Sequence, residues 1–147
     1  MSGYSTTLRV LQVEDNDADT IIIREALGTA FTEVEMTIHK DGAMMLHWID
    51  LVDAGDAPAP HVILVDLEVP LVRGEEVLRR LQSSPVCKEI PVVVVSASGS
   101  HSDRDTAYRL GAVSYFKKPS DFDEFMSLGN LVKGVICHRA RGAVGLE

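Results

Sequence analysis

Apolar runs alternate with amphipathic stretches five times along the chain, and each change of period marks a change of element. Runs rich in Val, Ile and Leu predict strands over Leu8 to Val13, Val34 to His39, Val62 to Asp66, Ile90 to Ser96 and Val113 to Lys117. Apolar positions three and four residues apart predict helices over Asp17 to Gly28, Gly42 to Asp53, Gly74 to Ser83, Ser102 to Leu110 and Asp121 to Arg139. The densest run is "VILVDLEVP", residues 62–70, in which four apolar residues lead into Asp66 and Pro70 follows. Strands of this kind are buried on both faces, so the alternation predicts an α/β fold: a parallel sheet with helices on each side.

Turn chemistry supports the drawing. Ser120-Asp121-Phe122-Asp123 has the form of a capping box, and Gly111 stands where a helix wants a left-handed C-terminal residue. The stretch "DAGDAPAP", residues 53–60, reads as a loop feeding the third strand, and no repeat interrupts the pattern.

Size and charge narrow the function. A length of 147 residues suits one domain, with a core over about 8–139 and no room after residue 119 for an output domain. The formal net charge of -8, with basic residues only in short clusters such as Arg79-Arg80 and Lys117-Lys118, excludes a nucleic-acid or anionic-membrane partner. Two cysteines, Cys87 and Cys137, without metal-ligand spacing, suggest a reducing compartment. With no membrane-length apolar run and no apolar signal core in Met1 to Thr7, a cytoplasmic protein is expected. Leu146-Glu147 resembles a cloning scar and carries no weight.

Ligands of open parallel sheets bind beyond the carboxyl ends of the strands, which makes the residues delivered there the candidates for chemistry. The first strand ends in Glu14-Asp15, the third in Asp66 and the fourth in Ser96, and the fifth runs into Lys118-Pro119. Three carboxylates at one edge repel unless a cation joins them, and oxygen ligands without His or Cys fit Mg²⁺. A lysine and a hydroxyl beside that cation supply what a phosphoryl group needs, with Asp66 as a nucleophile that forms an aspartyl phosphate. Each residue alone has a plainer reading. Asp66 reads equally as a turn cap, Ser96 as a turn hydroxyl, Lys118 as a solvent-facing charge, and Glu14, Asp15 and Asp17 as acids favoured by a helix dipole, the reading preferred outright for Asp19. Their coincidence at four strand ends favours a site.

These residues carry a family resemblance. "VLQVEDN", "VILVDLEVPLVRG", "IPVVVVSAS" and "LGAVSYFKKPSDFDEF", in this order, resemble the receiver domains of two-component response regulators over almost the whole chain. The resemblance implies a flavodoxin-like, doubly wound sheet with strand order 2-1-3-4-5 and five helices. It implies Asp66 as phosphoacceptor, Glu14, Asp15 and Asp66 as Mg²⁺ ligands with the backbone carbonyl of Glu68 completing the shell, and Lys118 as the phosphate-contacting lysine. Ser96 and Tyr115 become the switch pair, Ser96 swinging toward the phosphoryl group and Tyr115 turning inward. The implied role is a phosphoacceptor signalling protein rather than an enzyme, served by a sensor histidine kinase and in some relays by a histidine phosphotransfer protein. "EDNDADTIIIREAL" and "KPSDFDEF" further resemble the single-domain receivers paired with bacterial phytochromes, which implies a red-light sensor upstream; Cys137 to Glu147 departs from the aromatic ending of that group.

Other features bear on detail and output. Pro119 restricts Lys118 to extended geometry, with a cis bond as one way to hold the ammonium over the site, and Gly74 permits a tight helix start. Glu68 places an acid near the phosphoacceptor, and Ser98 is small enough to leave access from its side open. Ile21-Ile22-Ile23 covers roughly 200° of a helix at about 100° per residue, so at least one isoleucine faces outward, toward a kinase helix pair or a neighbouring helix. Phe122, Phe125, Met126, Leu128, Leu131, Val132, Val135 and Ile136 exceed one core stripe, which implies a homodimer through the last helix or a deeply buried helix in which Gly129 and Gly134 allow close packing. The five histidines, His39, His47, His61, His101 and His138, are scattered, and none reads as a ligand.

Three other readings compete. A pseudo-receiver would bind partners without phosphate, against the full residue set. A Mg²⁺-dependent aspartyl-phosphate hydrolase would carry its nucleophile on the first strand, and a flavodoxin-like electron carrier would not place acids where the flavin phosphate binds.

Overall fold

A computed structural model describes residues 7–144, with side chains described through His138. Five strands, β1 (Thr7–Val13), β2 (Glu33–His39), β3 (Val62–Val65), β4 (Val92–Ser96) and β5 (Ser114–Lys117), alternate with helices α1 (Asp17–Gly28), α2 (Gly42–Asp53), α3 (Gly74–Ser83) and α4 (His101–Arg109). The chain closes with α5 (Phe122–Phe125) and α6 (Ser127–Val144). All strands are parallel, in the order β2-β1-β3-β4-β5. Leu146-Glu147 lies outside the described residues.

Every residue of β3 is buried, because the alternation of side chains serves two cores at once. Leu11, Val13, Ile63, Val65 and Val94 pack under α2 and α3 with Met45, Ile49 and Leu78. Val10, Val62, Leu64, Val93 and Val95 pack against α1 and α6 with Ile23, Leu27, Leu128 and Val132.

Four helices begin at side-chain caps: Asn16 for α1, Asp41 for α2, Ser100 for α4 and Asp121 for α5. The last corrects the capping box, which shifts by one residue: the Asp121 carboxylate, not the Ser120 hydroxyl, accepts from the Asp123 N–H at 3.1 Å. Gly111 takes φ 100° and closes α4, with the Ala112 N–H returning to the Ala107 carbonyl. β4 starts two residues later than its apolar run. Cys87–Glu89 forms a 3₁₀ turn, the Ile90 N–H bonds back to the Cys87 carbonyl, and Pro91 has no N–H for the sheet.

The final helix is broken at Met126 rather than continuous from Asp121. The Ser127 hydroxyl donates to the Glu124 carbonyl at 2.6 Å, the local competition by which serine disturbs a helix interior. Gly129 then lets α6 touch α1, since a Cβ there would lie 2.2 Å from the Ala26 carbonyl oxygen. Gly134 meets no such neighbour and opens a groove of about 520 Å³ lined by Pro91, Val113, Leu131 and Val135. Among the described residues no helix is long and apolar enough to cross a membrane.

Candidate functional site

The carboxyl ends of β1, β3, β4 and β5 converge as the pattern requires. Glu14 follows β1 and is 1% exposed, and Asp66 follows β3 at 5%. Gly74 makes the approach to Asp66 possible: a Cβ there would fall 2.6 Å from the Asp66 carbonyl oxygen and 2.5 Å from the Leu67 Cα, so only glycine lets α3 start against this loop. The neighbouring Gly42 is equally confined, its N–H donating to the Pro70 carbonyl at 3.1 Å.

Lys118 occupies the centre. Its ammonium donates to Asp66 Oδ2 at 3.0 Å and to Asp19 Oδ2 at 2.8 Å, and pairs with Glu14 Oε1 at 2.8 Å. Its backbone N–H holds the Ser96 carbonyl at 2.8 Å, which ties the lysine to the end of β4. No peptide bond among the described residues is cis, so the Lys118–Pro119 bond is trans and the ammonium is held over the site by its carboxylates instead. Asp66 Oδ1 accepts from the Glu68 N–H at 3.0 Å, and Glu14 Oε2 from the Asn16 N–H at 3.2 Å.

Electrostatics follow from this crowding. Burial, reinforced by the charge of Asp66 and opposed by Lys118, pushes the Glu14 carboxyl up from 4.5 to about 7. Burial works against the Lys118 charge, but the carboxylates of Asp19, Glu14 and Asp66 outweigh it and raise the pKa above the ordinary lysine value. One ammonium is thus shared among several acids, and Glu14 retains an affinity for a further positive charge.

Glu14, exposed Asp15 and Asp66 each offer a carboxylate oxygen, and these oxygens lie within 4.8 Å of one another. An all-oxygen set with no histidine or cysteine fits a hard divalent cation, and the raised Glu14 pKa is the electrostatic counterpart of that fit. The Glu68 side chain is exposed and stands outside this carboxylate set.

Ser96 is fully buried, its hydroxyl accepting from the Ser98 N–H at 3.2 Å. Tyr115 is already turned inward: it is buried, its hydroxyl donates to the Ser98 carbonyl at 2.8 Å, and the Arg104 guanidinium lies 4.6 Å from its ring centre. Ser98 is less open than its size suggests, because its hydroxyl engages Asp103 and Ser100.

The comparisons agree with the geometry. The model of the response regulator receiver domain matches residues 10–129. The chain belongs to the response regulator receiver family. Within that family it is 32% identical over 127 residues to the response regulator Rcp1 of Synechocystis sp. (strain ATCC 27184 / PCC 6803 / Kazusa), covering 86% of this chain and 84% of Rcp1. The receiver fold superposes on the phosphorylated cyanobacterial phytochrome response regulator RcpA with a TM-score of 0.78 at 30% identity, over 86% of this chain and 91% of RcpA. It superposes on the Mn²⁺-bound form of Rcp1 with a TM-score of 0.76 at 29% identity, over 86% and 92%. Membership of this family is consistent with two-component signalling.

The site corrects one assignment. Asp19, read from the sequence as a simple first-turn acid, is a direct partner of Lys118. The available signal was spacing: Asp19 is three residues past the Asn16 cap, on the first turn that faces the strand ends. Its neighbour Asp17 does behave as a surface acid, pairing with exposed Lys40 at 2.7 Å.

Proposed function

We propose that this chain is a single-domain response regulator, working in the cytoplasm, that accepts a phosphoryl group on Asp66 from the phosphohistidine of a sensor kinase. The observation that carries this reading is the placement of Asp66 between the Lys118 ammonium at 3.0 Å and the acids Glu14 and Asp15, which together fit a cation.

A carboxylate oxygen of Asp66 attacks phosphorus, the new O–P bond forms as the P–N bond to the donor imidazole breaks, and the imidazole leaves with the bonding pair. Lys118 exchanges its Asp66 contact for a phosphoryl oxygen, and the Ser96 hydroxyl supplies a second donor. Mg²⁺, held by Glu14, Asp15, Asp66 and the backbone carbonyl of Glu68, would neutralise charge developing on the phosphoryl oxygens. Ser96 and Tyr115 would relay occupancy to the surface formed by α4 and β5.

The likeness to the phytochrome response regulator RcpA supports a bacterial phytochrome as the upstream kinase; a histidine phosphotransfer protein is the alternative exchange partner of this reading. Exposed Ile21 on α1, at 65%, supports docking of the kinase helix pair on that face. The groove beside Gly134 supports a homodimer through the last helix.

Intact-protein mass spectrometry after incubation with acetyl phosphate and Mg²⁺ tests the assignment. The expected result is a gain of one phosphoryl group that Asp66→Asn abolishes without unfolding the protein. Labelling that persists in Asp66→Asn would place the acceptor elsewhere, and no labelling of the parent protein would favour a phosphate-independent binding module.

A further inference from the structure

Three different carboxylates surround the Lys118 ammonium: it donates to Asp66 at 3.0 Å and to Asp19 at 2.8 Å, and it forms an ion pair with Glu14 at 2.8 Å. Glu14 and Asp66 belong to the set that fits a cation, whereas Asp19 does not. Asp19 therefore serves the lysine and not the metal. Its side chain is 24% exposed against 9% for Lys118, which places it on the solvent side of the ammonium.

The local structure of α1 frees Asp19 for this contact. An acid three residues past a helix cap normally turns back to the N–H of the cap residue. Here the Asn16 N–H is already taken by Glu14 Oε2 at 3.2 Å. The Asn16 side chain meanwhile accepts from the Asp19 N–H at 3.0 Å, pinning the backbone of Asp19 while its carboxylate reaches Lys118, just past the end of β5.

Resting on Asp66 as the phosphoacceptor, we propose that Asp19 is a positioning residue that competes with the phosphoryl group for Lys118. When a phosphoryl oxygen replaces Asp66 Oδ2 at the ammonium, Asp19 keeps its share of that charge and adds a negative charge facing the incoming anion. The site thus binds the phosphoryl group more weakly than its lysine alone would allow, and a higher concentration of donor is needed to fill it.

The test is the affinity of the full chain for beryllofluoride in the presence of Mg²⁺, followed by fluorine NMR, together with acetyl phosphate kinetics. Asp19→Asn and Asp19→Ala are expected to tighten beryllofluoride binding by about three- to tenfold and to lower half-saturating acetyl phosphate by a similar factor. The rate at saturation should change less than about twofold, and Asp19→Glu should restore the parent values. Asp17→Asn removes the same charge from the same helix turn without touching Lys118, so it is the control for dipole and net-charge effects. Unchanged or weaker binding in Asp19→Asn, or an equal gain in Asp17→Asn, overturns the proposal. Failure of the parent protein to bind beryllofluoride would instead overturn the phosphoacceptor reading, and the proposal with it.

Discussion

At the scale of single residues, the site is a collection of like charges held together by one cation. Glu14, Asp19 and Asp66 surround a single ammonium with Asp15 close by, and burial, reinforced by the Asp66 charge, pushes the Glu14 pKa up to about 7. Such sites are stabilised by what they bind. Mg²⁺ is expected to raise the thermal midpoint of the parent protein, by the equivalent of about 2.7 kcal/mol at a hundredfold excess over Kd. Asp15→Asn should lose most of that response, and circular dichroism melts in EDTA and in Mg²⁺ decide it. Equal Mg²⁺ responses in both proteins would remove Asp15 from the metal set. The members of this constellation were legible in the sequence because each ends a strand, whereas Asp19 was not. It sits in a helix, where an acid near the N-terminus already has a sufficient local reason, and its true partner lies 99 residues away.

At the scale of elements, period and punctuation predicted the strands and most helix limits, because caps and burial act within a few residues. The exceptions are places where one side chain or backbone group overrides the pattern. Pro91 and the preceding 3₁₀ turn delay β4, and the Ser127 hydroxyl divides the last helix. Close approach is hardest to read: Gly129 and Gly134 look alike in the sequence, yet only Gly129 touches another backbone. Gly129→Ala is accordingly expected to destabilise the fold by about 1–3 kcal/mol, the usual cost of overpacking, since the Ala26 carbonyl cannot move without displacing α1. Gly134→Ala should be neutral or slightly stabilising through helix propensity. Urea unfolding of the two variants tests the contrast, and equal effects would mean that α1 and α6 are not in backbone contact.

At the scale of the whole molecule, one sheet edge gathers the candidate site, and the faces around it are what the proposed function leaves for partners. The groove formed by Pro91, Val113, Leu131 and Val135 is the apolar face available to a second copy, and Val113 at its rim is 52% exposed. Val113→Lys is expected to shift the protein from dimer to monomer in size-exclusion chromatography with light scattering while leaving phosphorylation of Asp66 intact. A parent protein that is monomeric at tens of micromolar would discard this face as the self-association surface.

The inward setting of Tyr115 has a consequence for signalling range. The Tyr115 hydroxyl on the Ser98 carbonyl and Arg104 over its ring hold the aromatic side chain beside the loop that follows β4. On the proposed relay, a phosphoryl group at Asp66 would meet the ring already inside, which would leave the travel of the Ser96 hydroxyl as the main change, and a two-state element that starts near one end yields a small further gain. The proposed regulator is accordingly expected to show little displacement of the Tyr115 ring on adding beryllofluoride and Mg²⁺, and a large shift of its ring resonances in NMR would show that the ring does move.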